Sequence, residues 1–332
     1  MTRTGSSPSP ARTVFFGSGE FAVPILEAVA SMPELDLVGV VTAPDRPKGR
    51  KATITPTPVA ARAEALGLPI LKPERIRDPE VLGALTALRP DLGILADYGR
   101  IVPQAILDLP PLGILNVHPS LLPRHRGATP IPAAIAEGDP FAGVSVIRMD
   151  DGIDTGPIVS QESWMLAGTE TAPELEATAA TRGADLLRRT IPSWLAGDAA
   201  LFDQHDAPAT MTRPFRREDA RLDPTRSAVE LERQVRANVP WPGTFVETTL
   251  GRLGVIVAFV ADAQPGDVAG TFVRQDGPAG MPLPLPDTLP ALATSNGRLV
   301  LAVVQLAGRR SATGPDFLRG HPGIIGSAVT GR

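Results

Sequence analysis

The chain has 332 residues, 43% of them apolar, no cysteine, and 36 acidic against 32 basic side chains, for a formal charge of −4. That length allows two domains with full cores. Without cysteine there are no disulfides and no thiol chemistry, which fits a cytoplasmic protein, and no apolar run approaches the roughly 18 residues of a membrane span. The charge is unevenly divided. Residues 1–209 hold 18 Lys and Arg against 25 Asp and Glu, whereas residues 210–332 hold 14 against 11, so the sign changes from −7 to +3. A positive second half permits a phosphate-facing domain without requiring one.

Met1–Pro10 is rich in Ser, Thr and Pro, has no apolar segment, and reads as a disordered tail. Arg12–Phe16 predicts a strand ending in Gly17-Ser18-Gly19, and an apolar-periodic helix follows from about Glu20 to Ser31. Leu35–Thr42 predicts a second strand, near-continuously apolar as in a sheet covered on both faces. Asp91–Ala96 and Gly113–Val117 predict two more, separated by helical patterns at Pro79–Leu88 and Pro103–Leu109. This alternation predicts an α/β fold with a doubly wound, mostly parallel, Rossmann-like sheet, whose ligands bind beyond the carboxyl ends of the strands. Gly143–Met149 and Pro157–Glu162 predict later strands, and Thr171–Leu195 a long closing helix.

After Leu201 the composition changes. Asp203–Pro214 is polar and Pro-broken, as in a linker. A helix is predicted at Ala228–Ala237, then short strands at Thr244–Thr249, Val255–Val260, Gly270–Val273, Leu289–Thr294 and Arg298–Gln305, with a loose Pro-rich insertion at Gly277–Pro290. Several short strands at this spacing predict a small barrel. The domain plan is a tail at 1–10, a first domain at 11–200, a linker at 201–218 and a second domain at 219–332.

Three segments bear on chemistry. Gly17-Ser18-Gly19-Glu20-Phe21-Ala22 matches the G-x-G-x-x-A dinucleotide fingerprint, with Asp45 farther on. Glu20 would lie beside the pyrophosphate and Asp45 sits within a basic loop, so a tight strand-to-helix turn is the plainer reading. That loop, Thr42–Lys51, carries Arg46, Lys48, Arg50 and Lys51 against one anion, with Pro and Gly opposing regular structure. Solvated, it needs no role, but at the carboxyl end of the second strand it suits a polyanionic substrate. The third segment is Asn116-Val117-His118-Pro119. On a strand, residues two apart share a face, so Asn116 and His118 converge, and Pro119 ends the strand. Gly152-Ile153-Asp154-Thr155-Gly156 adds a carboxylate between two predicted strands. His125, His205 and His321 show no metal-ligand spacing, so no metal site is expected.

Asn116-Val117-His118-Pro119-Ser120-Leu121-Leu122-Pro123 and the later Gly-Ile-Asp-Thr-Gly together resemble the folate-dependent formyltransferase family. The resemblance implies Asn116, His118 and Asp154 as catalytic residues and 10-formyltetrahydrofolate as formyl donor, with no metal. It also implies that Ser120, Leu121, Leu122 and Pro123 border the folate. Formyl transfer to an amine passes through a tetrahedral intermediate bearing an anionic oxygen, and one preorganised donor aimed at that oxygen is worth about 3–4 kcal/mol. Asn116 and a protonated His118 are the donors, while Asp154 holds the protonation state of His118 or takes the amine's proton through a water.

Further matches extend the resemblance. Tyr98-Gly99, Ile101-Val102-Pro103 and Pro123–Ile131 resemble neighbouring family motifs; Arg126, within the last, reads either as a surface charge at a helix start or as a substrate contact. Pro44–Arg50 looks like the loop that members acting on methionyl-tRNA insert against the acceptor arm. Trp241-Pro242-Gly243 and Gln305–Arg310 resemble the OB-like carboxyl domain of those members, which points to Arg309 and Arg310 as tRNA contacts. The expectation is a monomeric cytoplasmic enzyme that formylates methionyl-initiator tRNA. A sugar amine or other small amine as acceptor, or a silent tRNA- or folate-binding module, are the alternatives. Two features depart from the family pattern: Asp97 replaces a small apolar residue beside Tyr98, and Met211-Thr212-Arg213-Pro214 replaces the usual linker segment.

Overall fold

A computed structural model of the chain describes residues 9–48, 52–276 and 288–330. Residues 1–8 of the expected tail, Arg50 and Lys51 of the basic loop, and residues 277–287 of the expected insertion lie outside them. The chain divides into two compact units, the first comprising Met1–Pro130, Phe141–Met165 and Glu176–Thr212, the second Ile131–Pro140, Leu166–Leu175 and Arg213–Arg332.

In chain order the elements begin with β1 (Ala11–Gly17), α1 (Ala22–Ser31), β2 (Leu35–Val41), β3 (Arg46–Lys48), β4 (Thr53–Thr55), α2 (Pro58–Ala65), β5 (Ile70–Leu71), α3 (Pro79–Leu88) and β6 (Leu92–Ala96). There follow α4 (Gln104–Leu107), β7 (Ile114–His118), β8 (Arg126–Gly127), α5 (Pro130–Glu137), β9 (Phe141–Arg148), β10 (Ile158–Met165), α6 (Ala172–Ala196) and β11 (Met211–Thr212). Seven strands form one sheet in the order β10-β9-β7-β6-β1-β2-β5. The run from β7 to β5 is parallel, and β9 and β10 add an antiparallel edge. Every residue of β6 and β7 is buried, as expected where helices cover both faces. The carboxyl ends of β1, β6 and β7 therefore share one rim, and Asn116 and His118 close β7 there.

Several expectations are corrected. The basic loop does form regular structure, because β3 and β4 pair as a hairpin with Pro47 opposite Ile54. A two-stranded ribbon tolerates Pro where no ladder bond needs its missing N–H. Helix α2 was not predicted although its signals are present: Thr57 caps Ala60 N at 3.0 Å and Pro58 takes the first helical position. The helix expected at 103–109 shortens to the single turn α4, and α1 starts at Ala22. The stretch read as a linker is not loose throughout, since β11 pairs in parallel with β8, Met211 opposite Arg126 and Thr212 opposite Gly127.

The second unit contains α7 (Ala228–Ala237), β12 (Phe245–Thr248), β13 (Gly251–Ala261), β14 (Phe272–Asp276), β15 (Thr288–Ala293), β16 (Arg298–Leu306), β17 (Ala312–Thr313) and α8 (Gly314–Gly320). Ser227 and Glu230 form a capping box that starts α7, and its buried Leu231 and Val235 join Leu253, Phe272, Leu299, Leu301 and Phe317 in one core. The strand expected at Leu289–Thr294 is β15, which starts one residue earlier within the expected insertion. The sheet runs β12-β13-β16-β15-β14 with β17 against β16. The expected closed barrel is not found among the described residues. Instead the chain end covers both free edges: Val329 N donates to Gly270 O, beside β14, and Thr330 N to Glu247 O, on β12.

Candidate active site

Asn116, His118 and Asp154 meet at the end of β7. Asn116 and His118 are buried to 6% and 5% residual exposure, so their polar atoms must find partners within the protein. Asn116 Nδ2 donates to Asp154 Oδ1 at 3.1 Å. Asp154 Oδ2 accepts from Gly127 N at 2.8 Å and lies 3.6 Å from His118 Nδ1. His118 Nε2 is 2.9 Å from the carbonyl of His125. A carbonyl only accepts, so Nε2 carries the proton in that bond and Nδ1 is the ring atom facing the carboxylate. One N–H of Asn116 is engaged by Asp154, and an amide has two.

The glycine-flanked loop aims this carboxylate by local means. Asp150 Oδ1 accepts from Gly152 N at 3.1 Å and from Thr155 Oγ1 at 2.7 Å, closing the turn on itself. A side chain on Gly156 would collide with the carbonyl of Arg148, so only glycine lets the loop return to the strand end. Asp154 itself has a φ of 54°, a left-handed conformation that costs a non-glycine residue of order 1–3 kcal/mol. Gly127 has a φ of 101°, and a Cβ there would strike the Thr212 carbonyl. That glycine therefore allows β11 to lie against the loop that presents its N–H to Asp154.

Residues 202–212 form a strap around these loops, which sequence reasoning missed. Phe202 bridges Ile158; Thr210 Oγ1 accepts from His125 N at 2.8 Å; Thr212 Oγ1 donates to Arg126 O and accepts from Thr129 N, both at 3.0 Å. Arg126 is neither a helix-start surface charge nor a side chain turned to solvent. It is buried to 6% exposure and donates to Gln204 Oε1 and Asp206 Oδ1. The only hint in the sequence was that several polar residues cluster in the stretch read as linker.

Ser120, Leu121, Leu122 and Pro123 follow β7 directly. Their backbone is tied down: Ser120 O accepts from Ser145 Oγ at 2.6 Å, Ser145 Oγ accepts from Leu122 N at 3.2 Å, and Gln161 Nε2 donates to Leu122 O at 3.1 Å. Gly143 is required beneath them, because a Cβ there would overlap Leu121. These four residues thus form a rigid lip beside the polar cluster.

Arg46 is exposed and paired with Glu74 at 2.6 Å, and Lys48 ends β3. Arg309 and Arg310 are exposed in the turn after β16, where Gln305 Nε2 donates to Arg309 O at 2.8 Å. At the rim, Asp97 lies over Gly19, with Glu176 and Glu20 nearby. Three carboxylates around the Gly17-Ser18-Gly19 turn oppose a pyrophosphate, in keeping with the plain-turn reading. Asp97 as a residue keeps considerable exposure, yet its carboxyl is desolvated in that corner; burial, reinforced by repulsion from Glu176, pushes its pKa up to about 7.

Comparison with known proteins shows the family. Residues 11–191 match the model described as formyl transferase, and residues 214–322 that described as formyl transferase, C-terminal domain. The chain is 41% identical over 309 residues to the methionyl-tRNA formyltransferase of Chloroflexus aurantiacus, covering 93% of this chain and 96% of that protein. It is 40% identical over 316 residues to the methionyl-tRNA formyltransferase of Myxococcus xanthus, covering 95% and 97%. Among solved structures, the N-formyltransferase of Helicobacter canadensis with folinic acid and dTDP-3-aminofucose aligns with a TM-score of 0.61 at 14% identity, over 88% of this chain and 98% of that one, a likeness of fold alone.

Proposed function

The chain belongs to the formyl transferase family, and from that premise we propose that it transfers a formyl group from 10-formyltetrahydrofolate to the amino group of methionyl-initiator tRNA. The observation that carries this reading is the convergence of Asn116, His118 and Asp154 at the carboxyl end of β7, in a chain that matches methionyl-tRNA formyltransferases along nearly its whole length. The amine of the charged methionine attacks the formyl carbon and the carbonyl oxygen becomes anionic. Asn116 turns its second N–H to that oxygen, the first being held by Asp154. His118, anchored through Nε2, acts at Nδ1, where a proton is shared with Asp154 or given to the oxyanion. Asp154 takes the amine's proton through a water and returns it to the folate nitrogen, so that the carbonyl re-forms as the C–N bond breaks and the folate leaves as a neutral amine. The Ser120–Pro123 lip borders the folate.

In this reading residues 11–200 are the catalytic domain, 201–218 connect, and 219–332 form an OB-like tRNA-binding domain. Arg46, Lys48, Arg50 and Lys51 meet the acceptor arm, and Arg309 and Arg310 meet phosphates elsewhere on the tRNA. The enzyme acts as a cytoplasmic monomer and needs no metal. Among the described residues no helix is long and apolar enough to cross a membrane. The competing reading is a sugar amine or other small amine as acceptor. Mass analysis of charged initiator tRNA and of a dTDP-amino sugar, each incubated with the protein and 10-formyltetrahydrofolate, decides between them. A gain of one formyl group on the methionine alone is the expected result; formylation of the sugar alone overturns it.

A further inference from the structure

We propose that Gln204, outside the trio and outside every motif in the sequence, is a positioning residue that holds the Asp154 loop in its working backbone conformation; this rests on the reading of Asp154 given above. Its side-chain amide is fully used. Nε2 donates to the carbonyls of Asp154 at 2.9 Å and Gly156 at 2.7 Å, while Oε1 accepts from Arg126 Nη2 at 2.9 Å and Nε at 3.1 Å. The two carbonyls only accept and the guanidinium only donates, so the amide fits in one orientation and no other. Arg126 is itself buried and held from its far side by Asp206 at 3.0 Å. Gln204 is thereby anchored on a fixed group and grips the peptide carbonyls on either side of Thr155.

The grip matters because of what lies beneath it. Asp154 adopts a left-handed backbone, φ 54°, which a non-glycine residue keeps only when its surroundings over-determine it. Asp150 closes the turn from one side, and Gln204 supplies the two bonds from the other. Without them the loop relaxes toward ordinary φ and the carboxylate swings away from Asn116 Nδ2 and His118 Nδ1. A displacement of about 1 Å at such a site is enough for roughly a 100-fold loss of rate. Gln204 touches no reacting atom in this scheme and acts only through Asp154. It is also partly exposed and outside the apolar core, so its removal leaves the sheet packing in place.

The test uses the full-length enzyme carrying Gln204→Ala, Gln204→Glu, Asp154→Asn, and Asp154→Asn combined with Gln204→Ala. Steady-state kinetics with charged initiator tRNA and 10-formyltetrahydrofolate are measured beside thermal unfolding. Gln204→Ala should lower kcat about 10- to 100-fold, with both KM values within about threefold and a Tm shift of no more than about 4 °C. Gln204→Glu keeps its pairing with Arg126 but turns a carboxylate oxygen on two carbonyls. It should therefore fall at least as far as the alanine variant, whereas a residue that merely fills space would be rescued by glutamate. In the Asp154→Asn background, Gln204→Ala should cost less than about twofold more, because its target is already lost. Full multiplication of the two effects, an unchanged kcat in Gln204→Ala, or rescue by Gln204→Glu overturns the proposal. Asp154→Asn retaining full turnover would instead defeat the catalytic reading beneath it, so the two failures are told apart.

Discussion

Asp154 and Arg309 are both charged, and the sequence marks both, yet their surroundings have nothing in common. The carboxylate of Asp154 is contacted by Asn116, His118 and Gly127, its backbone is bonded by Gln204, and its loop is closed by Asp150. Arg309 stands exposed in a turn held through its backbone, its N–H donating to Leu306 O and its carbonyl accepting from Gln305. The difference follows from how each would act. A proton transfer or an oxyanion contact fails if displaced by an ångström, so the group is fixed from several sides. A cation that neutralises phosphate acts through a screened field over about 10 Å, and there freedom to follow the ligand serves better than rigidity.

If that contrast is right, substitutions in the two regions should differ in size and in kind. Asp154→Asn should lower kcat about 1,000-fold with folate affinity near wild type, since a positioned acid–base group contributes roughly 10²–10⁴. Single-turnover formylation together with folate titration checks this, and loss of folate binding in parallel would mean that the carboxylate holds ligand and not the proton. Asn116→Ala should fall somewhat less, about 100-fold, as the loss of one oxyanion donor.

A buried ion pair in the second unit offers a control on stability. Arg298, at 5% exposure, holds Asp267 through two bonds of 2.6 and 2.7 Å, which keep the Asp267 carboxyl below its usual range. Asp267→Ala takes the paired carboxylate from a buried guanidinium, leaving it on Arg274 O and Gln275 Oε1, and should destabilise that unit by about 3 kcal/mol. Denaturant unfolding measures it, and catalysis well below the transition should be near normal. A kcat that falls with stability would show that the two properties are not separable.

Neutralising Arg46, Lys48, Arg50 and Lys51 together should raise the KM for charged tRNA about 10-fold and flatten its log–log salt slope by about 3, with kcat kept. Arg46 is already paired with Glu74, which reduces its own share of that effect. Arg309 and Arg310 changed together should give a smaller effect, about threefold in KM. Salt-dependent kinetics between 50 and about 200 mM separate this from lost catalysis. A collapse of kcat in either set would break the contrast, because it would mean that exposed cations set the chemistry.

What the sequence revealed divides along the same line. The spacing of Asn116 and His118 and the position of Pro119 give a shared strand face from local geometry alone, and the alternation of strands and helices gives the rim on which they sit. The pairing of Gln204 with the Asp154 loop depends on residues 50 apart brought together by the sheet, and no local pattern encodes it. Arg126 misled for the same reason: charge suggests surface, but a guanidinium with Gln204 and Asp206 in reach is stable when buried. The expected small barrel is seen among the described residues as an antiparallel sheet without closure, since strand periodicity does not tell whether β12 meets β14 or whether the chain end intervenes. Thr57 and Pro58 mark the start of α2 by local chemistry alone, a capping hydroxyl followed by a proline at the first helical position.

Asp97 tests the contrast most finely, because it is charged, lies on the catalytic rim, and is not part of the fixed cluster. Burial above all, then repulsion from Glu176, pushes its pKa from 3.8 up to about 7. The folded protein therefore holds this proton more tightly than the unfolded chain does. Between about pH 4 and pH 7 the native state binds more protons, so stability falls as pH rises through that window and levels off above it. Asp97→Asn removes the penalty: Tm should rise by about 2 °C at pH 8, where the wild-type carboxyl is ionised, and stay unchanged at pH 4, where it is not. Calorimetry at the two pH values checks this. An equal gain at both would assign the effect to contact with Gly19 and not to ionisation. A fall in kcat at pH 8 would add Asp97 to the group of side chains whose placement the chemistry requires.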